Sequence, residues 1–301
     1  MPVHGFLNLH KPLAMTSHDC VGIVRRLLGI RKVGHGGTLD PLAQGVLPLA
    51  IGRATRLLPY LAPGKAYTAV IRFGLTTTSD DLEGDILRQS SASGLTLNQV
   101  EAALPPFEGT IQQVPPAFSA IQVNGKRLYD LARRGKAVAA PSRTVTIHHL
   151  EVQGWQPGEY PELTLAIHCG TGTYIRSLAR DLGVAVGTGA TLAGLTRTGS
   201  SGFRLEHSLT LEQVQAQAEA QTLSLVAPEA VLSHLEAIAL PPDLAHRWRQ
   251  GQKFPPPIPM PPDTPFRVLA ADGGTFLGIG QWENREEGPI LKAKVVLQPV
   301  G

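Results

Sequence analysis

Apolar side chains recur along this chain with two different periods. Between Thr16 and Gly29 they fall at Val21, Val24, Leu27 and Leu28, the spacing of one helix face, with Thr16, Ser17 and Asp19 as caps and Gly29 as the stop. "FLNLHK" ahead of this helix reads as a short strand, and Arg25, Arg26, Arg31 and Lys32 fall on the helix's solvent side and exit. In "AYTAVIRFG" (66–74) the period drops to two, which predicts a strand with Tyr67, Ala69, Ile71 and Phe73 on one face. "TTTSDDLEGD" (76–85) is a polar loop, and a helix is expected near 96–104. Residues 163–183 read as an alternating strand, a "GTGT" turn and a helix with Ile175, Leu178, Ala179 and Leu182 on one side. That turn puts Arg176 in the first helical turn, where free backbone N–H groups favour anions.

Two stretches break the pattern. From 111 to 145 Pro115-Pro116 and Gly125 interrupt any regular element, and only Leu128, Leu131 and Ala132 hint at a short basic helix; this reads as an excursion from the core. Between 255 and 265 seven prolines form a stiff linker-like segment. Beyond it "FRVLAAD", Gly273-Gly274 and "TFLGIGQW", then "ILKAKVVL", read as a small β unit with a hairpin. With 301 residues the chain has room for one large domain and this small one, and it carries no internal repeat.

Composition narrows the class. A hydrophobic content of 43% and a charged content of 17% belong to a folded soluble chain. The start "MPVHGFLNLHKP" has no apolar run of the kind a signal peptide needs, and no stretch approaches a membrane span. Cys20 and Cys169 both sit in apolar patterns, so core packing in a reducing cytoplasm is expected. Net charge is only +3, yet residues 1–60 hold seven Lys and Arg against Asp19 and Asp40, and 111–150 hold six (among them Arg133 and Arg134) against Asp130. Charge alone leaves two readings open, a polyanion lying across these places or a merely solvated face.

Several chemistries drop out. Gly34-x-Gly36-x-x-Leu39 lacks the third glycine of a dinucleotide fingerprint and follows a helix, and no Gly-Lys pair precedes Ser or Thr as a phosphate loop requires. There is no HExxH and no G-x-S-x-G. Asp81, Glu83 and Asp85 resemble a calcium loop only until Ile86, which stands where glycine is needed. No metal and no cofactor is expected. What remains is "VGHGGTLDPLAQGVLPLAIG" (33–52), a loop of glycines and two prolines around a single acid, Asp40, with His35 and Thr38 beside it. Such a loop takes unusual backbone angles and presents its acid rigidly. Taken singly, an Asp before Pro is most often a turn residue and a strand Tyr is most often core.

In combination these segments resemble a family. "GHGGTLDPLAQGVLPLAIGRATR" is similar to the signature loop of the bacterial tRNA pseudouridine-55 synthases, the TruB type. The similarity extends through "LNLHKPLAMTSHDCV", "KAYTAVIRFGLTTTSDDLEGD", "VPPAFSAIQVNGKRLYDLARRG" and "GTYIRSLARDLG", covering most of residues 5–200 in order. The resemblance implies an α/β (α+β) fold: a catalytic domain over 1–240 with a central, largely antiparallel mixed sheet, an RNA-clamping thumb at about 111–145, and a PUA-like RNA-binding β domain over 241–301. It also implies a cytoplasmic monomer acting on the T stem-loop of tRNA, with no membrane or metal involved.

Carried over by motif, Asp40 would be the catalytic carboxylate, Tyr67 would stack on the target base and Arg176 would pair with Asp40. His35 would fill the stack beside the flipped nucleotide and Leu195 would line the uracil pocket. Thr38, Leu39, Tyr174, Lys11, Arg133 and Arg134 complete the implied substrate contacts. The chain departs from the family pattern at Gly36, Phe118, Gln122, Thr191 and Thr196, positions the resemblance ties to RNA contacts and the pocket rim. The reaction breaks the N1–C1′ bond of uridine, turns the base and rejoins it through C5, so no external reagent enters. Attack on C1′, attack on C6 and deprotonation of the ribose are all open to the carboxylate. Two other readings stand beside this one. A silent RNA-binding protein on the same fold would not need the Asp40, Tyr67 and Arg176 set. A guide-RNA-dependent synthase usually lacks the thumb motif.

Overall fold

The computed structural model describes residues 4–118, 140–255, 263–284 and 288–297, together with the backbone of a short strand pair at 122–123 and 126–127. Its centre is a sheet of nine strands. In chain order the elements are β1 (Gly5–Lys11), α1 (Ser17–Leu28), β2 (Val33–His35), β3 (Ala43–Ile51), β4 (Lys65–Phe73), β5 (Leu75–Thr77), β6 (Ile86–Gln89), α2 (Leu97–Ala103) and β7 (Gly109–Gln113). After the short pair β8 (Gln122–Val123) and β9 (Lys126–Arg127) come β10 (Arg143–Gln156), β11 (Glu162–Cys169), α3 (Ile175–Ala185), β12 (Ala190–Ser200) and β13 (Phe203–Arg204).

The strands lie in the order β1-β3-β12-β4-β11-β10-β7, with β2 on β3 and β13 on β12. Every pair in it is antiparallel except β3 with β12, which run parallel through Leu195 to Ala43, Thr196 to Gln44 and Arg197 to Gly45. This is the largely antiparallel mixed sheet the sequence implied. The excursion leaves the body where β7 and β10 pair, Gln113 opposite Arg143. The short helix expected at 128–132, and Arg133 and Arg134, lie outside the described residues.

The alternation read from the sequence decides which faces are buried. Tyr67, Ala69, Ile71 and Phe73 share one core with Leu163, Leu165 and Ile167 of β11 and with Ile175, Leu178, Ala179 and Leu182 of α3. At the other end of the sheet both faces are covered. Leu7, Leu9, Leu47 and Leu49 pack under Cys20, Val21 and Val24 of α1, while Phe6, Val46 and Ala50 face the opposite way. The cap of α1 is Thr16 in a reciprocal pair with Asp19, and Gly29 ends the helix in the left-handed region. Ser17, a candidate cap, does different work described below. Cys20 and Cys169 are both buried and free.

Beyond α4 (Leu211–Glu219) and α5 (Pro228–Val231) a four-stranded sheet forms from β14 (Ala237–Leu240), β15 (Pro265–Ala270), β16 (Phe276–Glu283) and β17 (Ile290–Val296), with α6 (Pro242–Arg249) against it. Its first strand, β14, precedes residue 241, because Ala237–Leu240 pairs in parallel with β15. Trp248, Phe266 and Trp282 fill its own core, the last two with ring centroids 5.0 Å apart. Phe276, Ile279 and Val295 instead join Phe6, Val46, Ala54 and Leu57 in one cluster, so this unit caps the β1–β3 end of the large sheet. Arg53 ties the two by donating to the Leu297 carbonyl at 2.6 Å.

Candidate active site

The loop after β2 owes its shape to contacts made from far along the chain. Ser17 Oγ, fully buried, accepts from the Leu39 N–H at 2.8 Å and sits 3.1 Å from the Leu39 carbonyl. Arg197 on β12 is completely buried, and its guanidinium donates to the Val46, Gly37 and Thr38 carbonyls at 2.6, 3.1 and 3.3 Å. Gly45 makes that approach possible. Its φ is +105°, and a Cβ there would lie 2.3 Å from the Arg197 carbonyl oxygen. A buried Arg without a carboxylate partner is costly, and three carbonyl acceptors are what make it tolerable. The loop is thereby clamped from both sides of Asp40.

Asp40 faces outward from this loop with its side chain 42% exposed, and its Oδ2 lies 2.9 Å from Nη2 of Arg176. Arg176, at the start of α3, is itself only 8% exposed in its side chain. Its other donors go to the Ser79 carbonyl at 3.1 Å and the Phe118 carbonyl at 2.9 Å, and Asp81 Oδ2 stands 3.4 Å from Nη1. Asp81 is buried; its other oxygen accepts from Ser79 Oγ and from the Glu83 N–H at 3.1 Å. The turn that aims it is set by Asp80 at φ +62°, a conformation Asp tolerates better than most residues. The "GTYIR" turn is pinned separately. The buried Gln113 amide donates to the Tyr174 carbonyl at 3.0 Å and accepts from its N–H at 2.8 Å.

Asp40 and Arg176 border a cavity of about 220 Å³, also lined by Thr38, Leu39, Lys65, Tyr67, Phe118, Tyr174, Ile175 and Leu195. That is room for one planar heterocycle between an apolar wall and a charged one. Burial pushes the Tyr67 phenol up to about 12, against the opposing charge of Arg197, so it is a neutral ring and hydroxyl at any physiological pH. Among the described residues no three His, Cys, Asp or Glu side chains gather as metal ligands would.

Comparison with known proteins bears directly on this geometry. Residues 25–175 match the model of the TruB family pseudouridylate synthase N-terminal domain. The chain belongs to that family. Residues 176–243 match the tRNA pseudouridylate synthase B C-terminal domain, and 237–296 match a second C-terminal model, pseudouridine synthase II TruB. Among curated relatives, "tRNA pseudouridine synthase B" of Synechocystis sp. is 53% identical over 97% of this chain and 99% of its own length. The protein of the same name in Gloeobacter violaceus is 58% identical over 84% of this chain and 87% of its own. Among solved structures, a Cbf5-Nop10-Gar1 complex contains a chain with a TM-score of 0.74 and 25% identity, covering 98% of this chain and 85% of that one.

Of the residues named from the sequence, Asp40, Tyr67, Arg176, Thr38, Leu39, Tyr174 and Leu195 meet at one cavity. His35 lies on β2 and is not part of its lining; burial and the charge of Arg197 lower its pKa, which disfavours the imidazolium. Lys11, implied as a substrate contact by the resemblance, is placed elsewhere: it is wholly buried and its ammonium donates to the Pro12 and Met15 carbonyls at 2.8 and 2.5 Å, bracing the loop ahead of α1. Thr191 also differs from expectation. It is buried 3.1 Å from the Thr77 hydroxyl rather than standing at the rim. Phe118 meets Arg176 through its carbonyl, a contact the side chain does not decide.

Asp81, Arg197, Gln113 and Lys65 join the site from the structure alone, since neither a calcium-loop pattern nor the motif around them gives any of the four a role. Arg197 had a usable signal, since it stands two residues after Leu195 on a strand and therefore on the same face.

Proposed function

We propose that this enzyme converts uridine 55 in the T loop of tRNA to pseudouridine without a guide RNA, by flipping the uridine into the cavity beside Asp40. One observation carries the reading: an outward-facing carboxylate held at 2.9 Å by an arginine, over a cavity sized for one base. Asp40 Oδ1 has no hydrogen-bond partner among the described residues, which leaves that oxygen to face a substrate. Arg176 fixes the other oxygen, so the carboxylate meets the nucleotide in one orientation. Tyr67, neutral and buried at the base of the cavity, offers a ring face that offsets the stacking a uridine loses when it leaves the loop. Glycosidic cleavage then leaves the uracil inside walls formed by Leu39, Ile175 and Leu195, where it turns and rejoins the ribose through C5. The carboxylate acts on the ribose or on the ring, and either route ends with loss of the C5 hydrogen.

The curated relatives described above are named for tRNA, and their identity is roughly twice that of the Cbf5-containing complexes. This favours a guide-independent enzyme, and we further infer that it works in the cytoplasm as a monomer. In the same reading the excursion between β7 and β10, with Arg133 and Arg134, clamps the RNA, and the C-terminal sheet is an accessory RNA contact. The test uses purified protein and one unmodified tRNA transcript carrying tritium at uridine C5, with no other RNA present. Stoichiometric release of tritium and a pseudouridine mapped to the T loop are expected. Absence of release until a second RNA is added would overturn the guide-independent reading.

A further inference from the structure

Lys65 begins β4, two residues before Tyr67, and its backbone pairs with Cys169 on one side and Ser200 on the other. Its ammonium sits over the signature loop. A Cβ placed on Gly37 would lie 3.4 Å from Lys65 Nζ and 3.6 Å from an Arg197 nitrogen, so two cations flank one glycine. Among the described residues Lys65 Nζ has no hydrogen-bond or ion-pair partner. Burial, reinforced by Arg197, lowers its pKa. A half-buried ammonium beside a second cation and without a carboxylate gains most from an anion supplied from outside.

Its position says which anion. Lys65 lines the base cavity and also a second hollow of about 480 Å³ that runs across the start of β4 past Pro63, His148, His168, Ser201 and Arg204. It is the residue common to both linings. The lining of the second hollow contains no Asp or Glu, and it shares Ser201–Arg204 with a third, of about 370 Å³, whose lining has none either. The exposed Glu206 stands just outside, 2.8 Å from Arg204 Nε and 3.7 Å from His207 Nδ1, so Lys65 is the cation of this groove that no carboxylate pairs among the described residues. A polynucleotide strand that delivers one base into the cavity must run past its mouth, and its phosphates need cations and no carboxylates along the way.

We propose that Lys65 binds a backbone phosphate flanking the flipped uridine, at the place where the linings of the base cavity and of the neighbouring groove meet. Lys65 is then a positioning residue: it anchors the strand so that the ribose stops beside Asp40. This rests on the function proposed above, and the experiment separates the two.

The probes are tRNA T stem-loop RNAs, one natural and two with a neutral methylphosphonate replacing the phosphate on the 5′ or the 3′ side of the target uridine. Affinity is measured against salt for wild type, Lys65→Gln and Lys65→Arg, with circular dichroism on each. For the natural RNA, Lys65→Gln is expected to weaken binding roughly tenfold, the scale of one charge-assisted hydrogen bond, and to flatten the slope of log affinity against log salt by about one. Lys65→Arg should restore most of both. One methylphosphonate should weaken wild type by a similar factor and leave Lys65→Gln unchanged. The assignment is overturned if Lys65→Gln binds with wild-type affinity and slope, or if both methylphosphonates weaken wild type and the variant equally. The latter result would mean that Lys65 touches the base or serves the fold. If wild type fails to convert the natural RNA at all, the proposed function fails first, and the binding data still judge Lys65.

Discussion

Two acids reach Arg176 from two different regions, and they are built in opposite ways. Asp81 arrives on a tight turn, nearly inaccessible, with one oxygen committed to Ser79 Oγ and the Glu83 N–H and the other near the guanidinium. Asp40 arrives on a loop clamped at its backbone by Ser17 and Arg197, while its carboxylate meets the described residues through one oxygen and stays 42% exposed. In the first region the side chain is satisfied and the acid is structural; in the second the backbone is satisfied and the acid is left available. Rigidity and reactivity are separated by which atoms carry the hydrogen bonds. Arg176 joins the two, so the buried acid sets where the exposed one points.

The contrast can be broken at either end. Asp40→Asn should abolish tritium release from labelled tRNA to below detection while changing stability by less than about 1 kcal/mol, since its ion pair is partly open to solvent. tRNA affinity should stay near wild type, because most of it comes from phosphates. Asp81→Asn should cost about 3 kcal/mol in a denaturant melt, the lower end of what removing one partner of a buried pair costs. It should also reduce kcat by roughly 10- to 100-fold through loss of aim, on the order of 1.4 to 2.7 kcal/mol of barrier. If Asp81→Asn melts like wild type and turns over normally, Arg176 needs only Asp40 and the division of labour is wrong.

Smaller changes sharpen it. Ser79→Ala removes one hydrogen bond from the buried acid and should cost about 1 kcal/mol, with a few-fold fall in kcat. Its effect should be sub-additive with Asp81→Asn, since both act on one network. The smallest effect concerns Tyr67. Its phenol is raised to about 12 in the folded chain, so the difference spectrum between wild type and Tyr67→Phe should show no phenolate until near that pH. The sign follows from linkage. A raised pKa lends stability that is whole below the ordinary tyrosine value of about 10 and drains away as pH climbs toward 12. Ionisation near 10 would mean that the cavity floor is wet.

The sequence announced the parts of the site that are local. Asp40 within its glycine loop, Tyr67 on an alternating strand and Arg176 after a tight turn each carry a signature within ten or so neighbours, and all three meet at the cavity. The helix α1 and the face Tyr67–Phe73 were legible for the same reason, since a 3.6- or 2-residue period needs no knowledge of the rest. The clamps were not. Arg197 reaches the loop across a parallel pairing, and Gln113 grips a turn 61 residues away. An inward-facing Arg or Gln looks like any polar residue until its acceptors are known. Lys11 is the opposite case. Lysine is usually a surface group, and only the fold reveals that two carbonyls close around this one.

The parallel pairing of β3 with β12 also fixes when the site can exist. Arg197 and the Val46 carbonyl it holds are separated by 151 residues, and β12 lies between β3 and β4, filling the centre of the sheet. At translation speeds of about 5–20 residues per second, the ribosome needs on the order of ten seconds or more to move from one to the other. Through that interval β3 and β4 are central strands without the partner between them, the kind of open edge that recruits other chains. A nascent chain of this protein should therefore engage holdases until roughly two thirds of it has been made. Ribosome-stalled chains ending before Ala190 should be sensitive to protease across residues 33–52, and chains extended well past Ser200 should be resistant there.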